Sequence, residues 1–211
     1  MKPNQGFLLV FEGIDGSGKS TQAKILLRRL RKEGVQAVGL REPTRGKWGK
    51  VVKKFSARAG SLSPAEQLAL FVSDRMENVE DNVKPALRAG KTVILDRYYF
   101  STIAYQGAMG LDTRRIKRQN EKFAPRPDLV FIFDIPAGKA LRRIAGRLSR
   151  DKLFERRDYL EKVADIFRSL KGRRFVHIDG TADKNAISRE IRRRVRELMA
   201  GRGARRGSQD C

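Results

Sequence analysis

Apolar residues along this chain fall into two patterns: short continuous runs, and longer stretches where they recur every three to four positions. These are the periods of buried strands and one-sided helices. Phe7 to Phe11 is a run of the first kind, ended by Glu12 and Gly13, and Lys19 to Lys32 is of the second, with Ala23, Ile25, Leu26, Leu27 and Leu30 forming its apolar face. The order is therefore strand, Gly-rich loop, helix. Gly34 stops that helix, Val35 to Leu40 reads as a second strand, and Pro43 in Arg41-Glu42-Pro43-Thr44 turns the chain. Ser63-Pro64-Ala65-Glu66 combines an N-cap serine, a proline at the first helical position and a glutamate in capping-box spacing, which predicts a helix from there to about Leu87, closed by Gly90. Thr92 to Leu95 ending on Asp96, Leu129 to Ile135, and Arg174 to Ile178 are the remaining strands, each with a helical segment after it. Continuous rather than alternating apolar strands belong to a parallel sheet covered on both sides. Right-handed βαβ crossovers then give a three-layer α/β fold, a five-stranded parallel sheet with helices on both faces.

Length and composition narrow this to one domain. The 211 residues are 40% hydrophobic and 34% charged, enough apolar content for a single well-buried core. Residues 1–200 are expected to form it, whereas 201–211, rich in Gly, Arg and Ser, read as a disordered basic tail. No apolar stretch approaches the roughly 18 to 20 residues that cross a bilayer, and no basic region precedes a long apolar run at the N-terminus, so a cytoplasmic protein without a membrane partner is expected. The single cysteine, Cys211, excludes an internal disulfide and a cysteine metal cluster. The net charge of +23 creates a field that attracts phosphates, nucleic acid and anionic surfaces alike. Non-specific nucleic-acid binding through this basic surface is compatible with it, but charge does not choose among these partners.

The loop after the first strand does choose. Gly13-Ile14-Asp15-Gly16-Ser17-Gly18-Lys19-Ser20 fits G-x-x-x-x-G-K-[ST] and lies between a strand and a helix, with Thr21 continuing it into the helix. Glycines there let backbone N–H groups face phosphate oxygens, and the helix N-terminus adds partial positive charge. Lys19 would bridge the β- and γ-phosphates of ATP and Ser20 would offer its hydroxyl to Mg²⁺, which makes this a P-loop NTPase fold. A second oxygen ligand, or a carboxylate orienting a metal-bound water, is expected at the same sheet edge, and Asp96 ends the third strand there. Arg97 follows it, so metal shell and acceptor phosphate can sit side by side; a salt bridge closing the strand is the plainer use of the same pair. No N-K-x-D element for reading guanine is present.

Several motifs in order add a resemblance. Phe11-Glu12-Gly13-Ile14-Asp15, Arg41-Glu42-Pro43-Thr44, Asp96-Arg97-Tyr98, Ser101-Thr102-Ile103-Ala104-Tyr105-Gln106-Gly107 and Arg126-Pro127-Asp128-Leu129-Val130 together resemble the thymidylate kinase family, over nearly all of residues 6–170. That resemblance implies ATP-dependent phosphorylation of dTMP to dTDP, for dTTP supply in DNA synthesis, by a homodimer. It places Asp15 near the deoxyribose 3′-hydroxyl, Phe71 against thymine, Arg75 at the carbonyl edge of the base and Arg97 on the acceptor phosphate. Tyr105 would lie against the sugar and disfavour a 2′-hydroxyl, and Ser101 and Gln106 would sit close to the base. Phe71 and Arg75, four apart, share a helix face, a spacing that serves core packing equally well. Arg45 adds charge that suits the acceptor phosphate or simply faces water.

Phosphoryl transfer is catalysed by positioning and by positive charge around the transferred oxygens. Position 16 is glycine, while Arg142, Arg143, Arg147 and Arg150 cluster in a lid expected over about 141–155. This resembles the family pattern in which lid arginines supply the charge, with Arg147, next to a hinge at Gly146, as the catalytic candidate and Glu155 as a lid tie. A solvated basic helix face is the alternative use of these residues. Two other functions share the scaffold: a broader deoxynucleotide or deoxynucleoside kinase, and a nucleic-acid-binding P-loop protein. The second needs aromatics interleaved with its basic residues, and 28–32 and 189–196 contain none.

Overall fold

A computed structural model describes residues 6–56, 62–144 and 150–207, with the side chains at 56, 150–156 and 202–207 left out. The elements run β1 (Leu8–Glu12), α1 (Lys19–Lys32), β2 (Ala37–Arg41), α2 (Lys47–Ser56), α3 (Pro64–Asn78), a π-helical turn (Val79–Val83), α4 (Lys84–Arg88), β3 (Thr92–Asp96), α5 (Tyr99–Ala108), α6 (Thr113–Glu121), β4 (Leu129–Asp134), α7 (Ala137–Ile144), α8 (Arg150–Ser169), β5 (Phe175–Asp179) and α9 (Lys184–Gly207). The strands form one parallel sheet in the order β2-β3-β1-β4-β5, as the apolar runs predict.

Successive strand residues point to opposite faces, and here both faces are covered. Leu8, Val10, Val93, Leu95, Val130 and Ile132 pack under the π-helical turn, α4, α5, α7 and α8. Leu9, Phe11, Ile94, Phe131 and Phe133 pack under α1 and α9. Hence the central strands β1 and β3 are buried throughout and the edge strands β2 and β5 only in part. Parallel pairing of Phe11 with Asp96 and of Arg41 with Asp96 aligns the carboxyl ends of β1, β2 and β3, so the loops leaving them converge on one edge.

Cap chemistry behaves as the sequence indicates. The Ser63 hydroxyl accepts from the Glu66 amide at 3.3 Å while Glu66 accepts from the Ser63 amide at 2.8 Å. The helix that starts there is continuous to Arg88 but widens into the π-helical turn at Val79–Val83. α2 is an element beyond those expected, and it packs on α3. The backbone of α9 is helical to Gly207, so the stretch from 201 that composition marks as a tail continues the helix; 208–211 lie outside the described residues. No helix among the described residues is long and apolar enough to cross a membrane.

The center of the sheet carries the stability. Phe131 is fully buried and its ring lies 5.1 Å from that of Phe11. Phe131→Ala is expected to cost about 3–5 kcal/mol, read as a lower urea midpoint at unchanged m-value; a loss under about 1 kcal/mol would contradict this placement of the core.

Candidate active site

The P-loop leaves β1 at the middle of the sheet, between β3 and β4. Its backbone is left-handed at Gly16 and Gly18, with φ of 83° and 92°. A Cβ at Gly16 would also stand 2.3 Å from the Ala140 carbonyl oxygen, so α7 excludes a side chain there. Gly18 caps α1 with no side chain, which leaves the first amides of the helix directed at the loop. Lys19 opens α1 and is buried; its Nζ donates to the Ile14 carbonyl at 3.2 Å and lies 3.8 Å from Asp15 Oδ1. Burial, with the Arg97 charge acting in the same direction, lowers Lys19 to about 8. Ser20 is half-buried in the first turn.

Asp96 and Arg97 come from β3, across the sheet edge. Arg97 has φ of 72°, a left-handed backbone in a residue that is not glycine. Its guanidinium donates to Asp15 Oδ1 at 2.8 Å, Ser101 Oγ at 2.8 Å and Tyr105 Oη at 3.3 Å, and lies over the Tyr105 ring at 5.1 Å. Those contacts engage three of its five N–H donors. Asp96 is buried, its Oδ2 is 3.7 Å from Arg41 Nε, and its Oδ1 has no hydrogen-bond partner among the described residues. A buried carboxylate oxygen without a donor suits a hard cation or a water in its shell.

Beside this group opens a cleft of about 1210 Å³ whose wall includes Asp15, Arg45, Phe71, Arg75, Arg97, Ser101, Tyr105 and Gln106. The structure thus brings every expected acceptor-side residue to one cavity. Phe71 is half-buried and belongs to neither core cluster, while Tyr105 faces the cleft and also packs on the core. Gln106 is buried, and its Oε1 has no partner among the described residues. Arg45 is exposed at the mouth, on a turn that Asp74 anchors through the Thr44 amide at 3.0 Å and hydroxyl at 2.5 Å. Arg147 lies outside the described residues, as does the side chain of Glu155 on α8.

Four residues that sequence reasoning did not single out, Glu12, Glu42, Asp74 and Tyr159, shape the site, together with Arg143 of the arginine cluster. Glu42 accepts from Arg75 Nε at 2.8 Å and from Asn78 at 3.1 Å, while Arg75 also donates to Asn120 at 2.7 Å and Thr102 at 2.9 Å. Asp74 holds the Arg45 turn. Tyr159 of α8 donates its hydroxyl to the Tyr105 carbonyl at 3.0 Å and lines the cleft. Arg143 of α7 donates to Gly16 O at 3.2 Å and Gly180 O at 3.1 Å, clasping the P-loop to the turn after β5. Glu12, at the end of β1, accepts from the start of α5. A carboxylate closing an apolar run was the one sequence signal for Glu12; the others depend on partners 30 or more positions away.

With that geometry in view, the family model described as thymidylate kinase matches residues 11–191. The chain belongs to the thymidylate kinase family. The thymidylate kinase of Desulfotalea psychrophila is 40% identical over 200 residues, 94% of this chain and 98% of that one. That of Akkermansia muciniphila is 44% identical over 90% of this chain and 91% of its own, and the probable thymidylate kinase of Archaeoglobus fulgidus 40% over 91% and 96%. The family match covers every element that lines the cleft and stops within α9, at Ile191.

Two measurements test this arrangement. Lys19 is charged below about 8 in the folded protein and up to the ordinary 10.5 in the unfolded chain, so between those values the unfolded chain binds more protons. The Lys19 contribution to stability therefore rises with pH across that window, while kcat/KM for the phosphate donor falls as pH passes about 8, a limb that kcat itself shows only at higher pH because bound phosphates restore the proton. Arg75→Ala strands Glu42, whose carboxyl burial already pushes up, and should cost about 3–5 kcal/mol at pH 8. Because that carboxyl is raised, the loss should shrink as pH falls and Glu42 protonates; urea melts at pH 8 and at pH 5 read the difference.

Proposed function

We infer that the chain transfers the γ-phosphate of ATP to dTMP, giving ADP and dTDP. One observation carries the reading: the Lys19–Asp15–Arg97 group joins the P-loop, whose amides face phosphate, to the cleft whose wall includes Asp15 and Arg97. Family membership supports thymidylate as the acceptor. In this reading ATP lies on the amides of 13–21 with Lys19 at its β- and γ-phosphates. Mg²⁺ would be held by Ser20 and Asp96 together with phosphate oxygens, and when bound it neutralises charge on them. A set of residues this sparse fits an ion that arrives with its nucleotide; among the described residues no three His, Cys, Asp or Glu side chains build a self-sufficient metal site.

On the acceptor side Arg97, with two donors beyond those it uses internally, holds the dTMP phosphate, and Arg45 closes on it from the mouth. Phe71 faces the thymine ring, Arg75 directs a remaining N–H at its carbonyl edge, and Ser101 and Gln106 lie beside the base. Asp15 takes the 3′-hydroxyl, and the Tyr105 ring occupies the space a 2′-hydroxyl would need. A phosphate oxygen of dTMP then attacks the γ-phosphorus in line and ADP leaves, with no covalent intermediate on the protein. The close approach of α7 to Gly16 disfavours an arginine there, which supports drawing further transition-state charge from the lid, where Arg147 is our candidate; Arg143 of α7 already touches the loop. The same reading makes the protein a cytoplasmic homodimer, which sedimentation velocity resolves from a single copy.

A coupled ADP-release assay with dTMP, UMP and CMP tests the acceptor. Selective turnover of dTMP is expected, with Arg97→Ala and Asp96→Ala each losing about 10²–10³ in kcat/KM, the scale for removing one preorganised charge contact. Equal turnover of the three monophosphates, or none with dTMP, refutes it.

A further inference from the structure

Glu12 has no role in the chemistry above, yet it is fully buried at the end of β1, beside the first glycine of the P-loop. No ion pair within 4.0 Å among the described residues includes it, and an isolated buried carboxylate is costly. Its compensation is three hydrogen bonds from the next motif. Oε1 accepts from the amides of Tyr98 at 2.8 Å and Ser101 at 3.1 Å, and Oε2 accepts the Ser101 hydroxyl at 2.5 Å. These amides open α5, whose own N-cap residue, Tyr98, supplies no side-chain cap. A carboxylate from a distant strand thus does the work of a cap, where the helix dipole also favours it.

The proton count at Ser101 has a consequence. A hydroxyl has one proton to donate, and with Glu12 ionised it is committed to Glu12, so Oγ can meet Arg97 only as an acceptor, as the 2.8 Å bond from Nη1 requires; burial raises Glu12 to about 7, so this arrangement belongs to pH above that value. The left-handed backbone of Arg97 is likewise pinned on both sides, by its own amide on Phe11 O at 3.0 Å and by the Glu12 bond to the Tyr98 amide. Strained backbone persists where its surroundings over-determine it.

We propose that Glu12 is a positioning residue for the acceptor side: acting through Ser101 and the Tyr98 amide, it orients the Arg97 guanidinium toward the acceptor phosphate. This rests on Arg97 holding that phosphate. Glu12→Gln is nearly isosteric, but its N–H₂ either opposes the two backbone amides, donor against donor, or faces Ser101 and turns the hydroxyl proton away from its present acceptor, and either way the relay to Arg97 is broken.

The test measures KM for dTMP and for ATP, kcat and thermal midpoint for Glu12→Gln, Ser101→Ala, the double variant and Arg97→Ala. The expected result is a rise of about tenfold or more in KM for dTMP in Glu12→Gln with KM for ATP within about twofold, and a much smaller further effect of Glu12→Gln in the Ser101→Ala background, since residues acting in one relay are non-additive. Equal effects on both KM values, or full additivity in the double variant, would overturn the relay. If Glu12→Gln does not fold, Glu12→Asp, which keeps the charge but withdraws it by one methylene, must raise KM for dTMP selectively; no change there also overturns it. Failure of Arg97→Ala to alter dTMP binding would instead strike the underlying assignment of Arg97, so the two failures are distinguishable.

Discussion

The Arg97 guanidinium lies where three elements of the fold meet, and it is the contact around which the site is organised. It reaches Asp15 of the P-loop after β1, Ser101 and Tyr105 of α5, and its own backbone turns at the end of β3 with a left-handed φ. Each of those elements is itself immobilised by the sheet: β1 and β3 are paired side by side and buried on both faces. A flexible, charged side chain is thereby held at a defined point by rigid surroundings, which is what catalysis by positioning demands.

Buried charge elsewhere serves the same end. Arg75 and Glu42 are both almost wholly removed from water, and their mutual bond is supplemented by Asn78, Asn120 and Thr102 until few polar atoms lack partners. Such a network is of doubtful net worth to stability, because desolvation offsets its attraction. Its effect is to fix where the remaining Arg75 donors point and to tie the turn after β2 to α3, α5 and α6. By contrast the arginines of α9 pair with Glu190 and Glu197 in the open, where screening leaves each pair worth little. Much of the +23 charge thus lies on the surface of α9 and similar faces, while Lys19 and Arg75 at the site are withdrawn from solvent.

Connections between the two sides of the site run through α7 and α8. Arg143 joins α7 to the P-loop, and Tyr159 joins α8 to the backbone of Tyr105. These two helices, which flank Arg147 in the sequence, thus touch the P-loop on one side and the cleft on the other.

The one-dimensional pattern was sufficient for the five strands, their parallel pairing, the P-loop and the capping box at Ser63, because each of these depends on neighbours within a few residues or on burial that shows as a continuous apolar run. It also nominated Asp96 and Arg97 at the end of the third strand, while Phe71, Arg75 and Tyr105 came from the family resemblance. It could not show that they face one cavity, nor that Glu42, Asp74, Asn120 and Tyr159 hold them there. Those contacts join residues 30 to 54 positions apart, and they exist only once the sheet has aligned the carboxyl ends of its strands. Glu12 shows the division most clearly. In the sequence it is a polar residue that ends a strand; only tertiary structure supplies the three donors 86 to 89 positions away that let a carboxylate remain there.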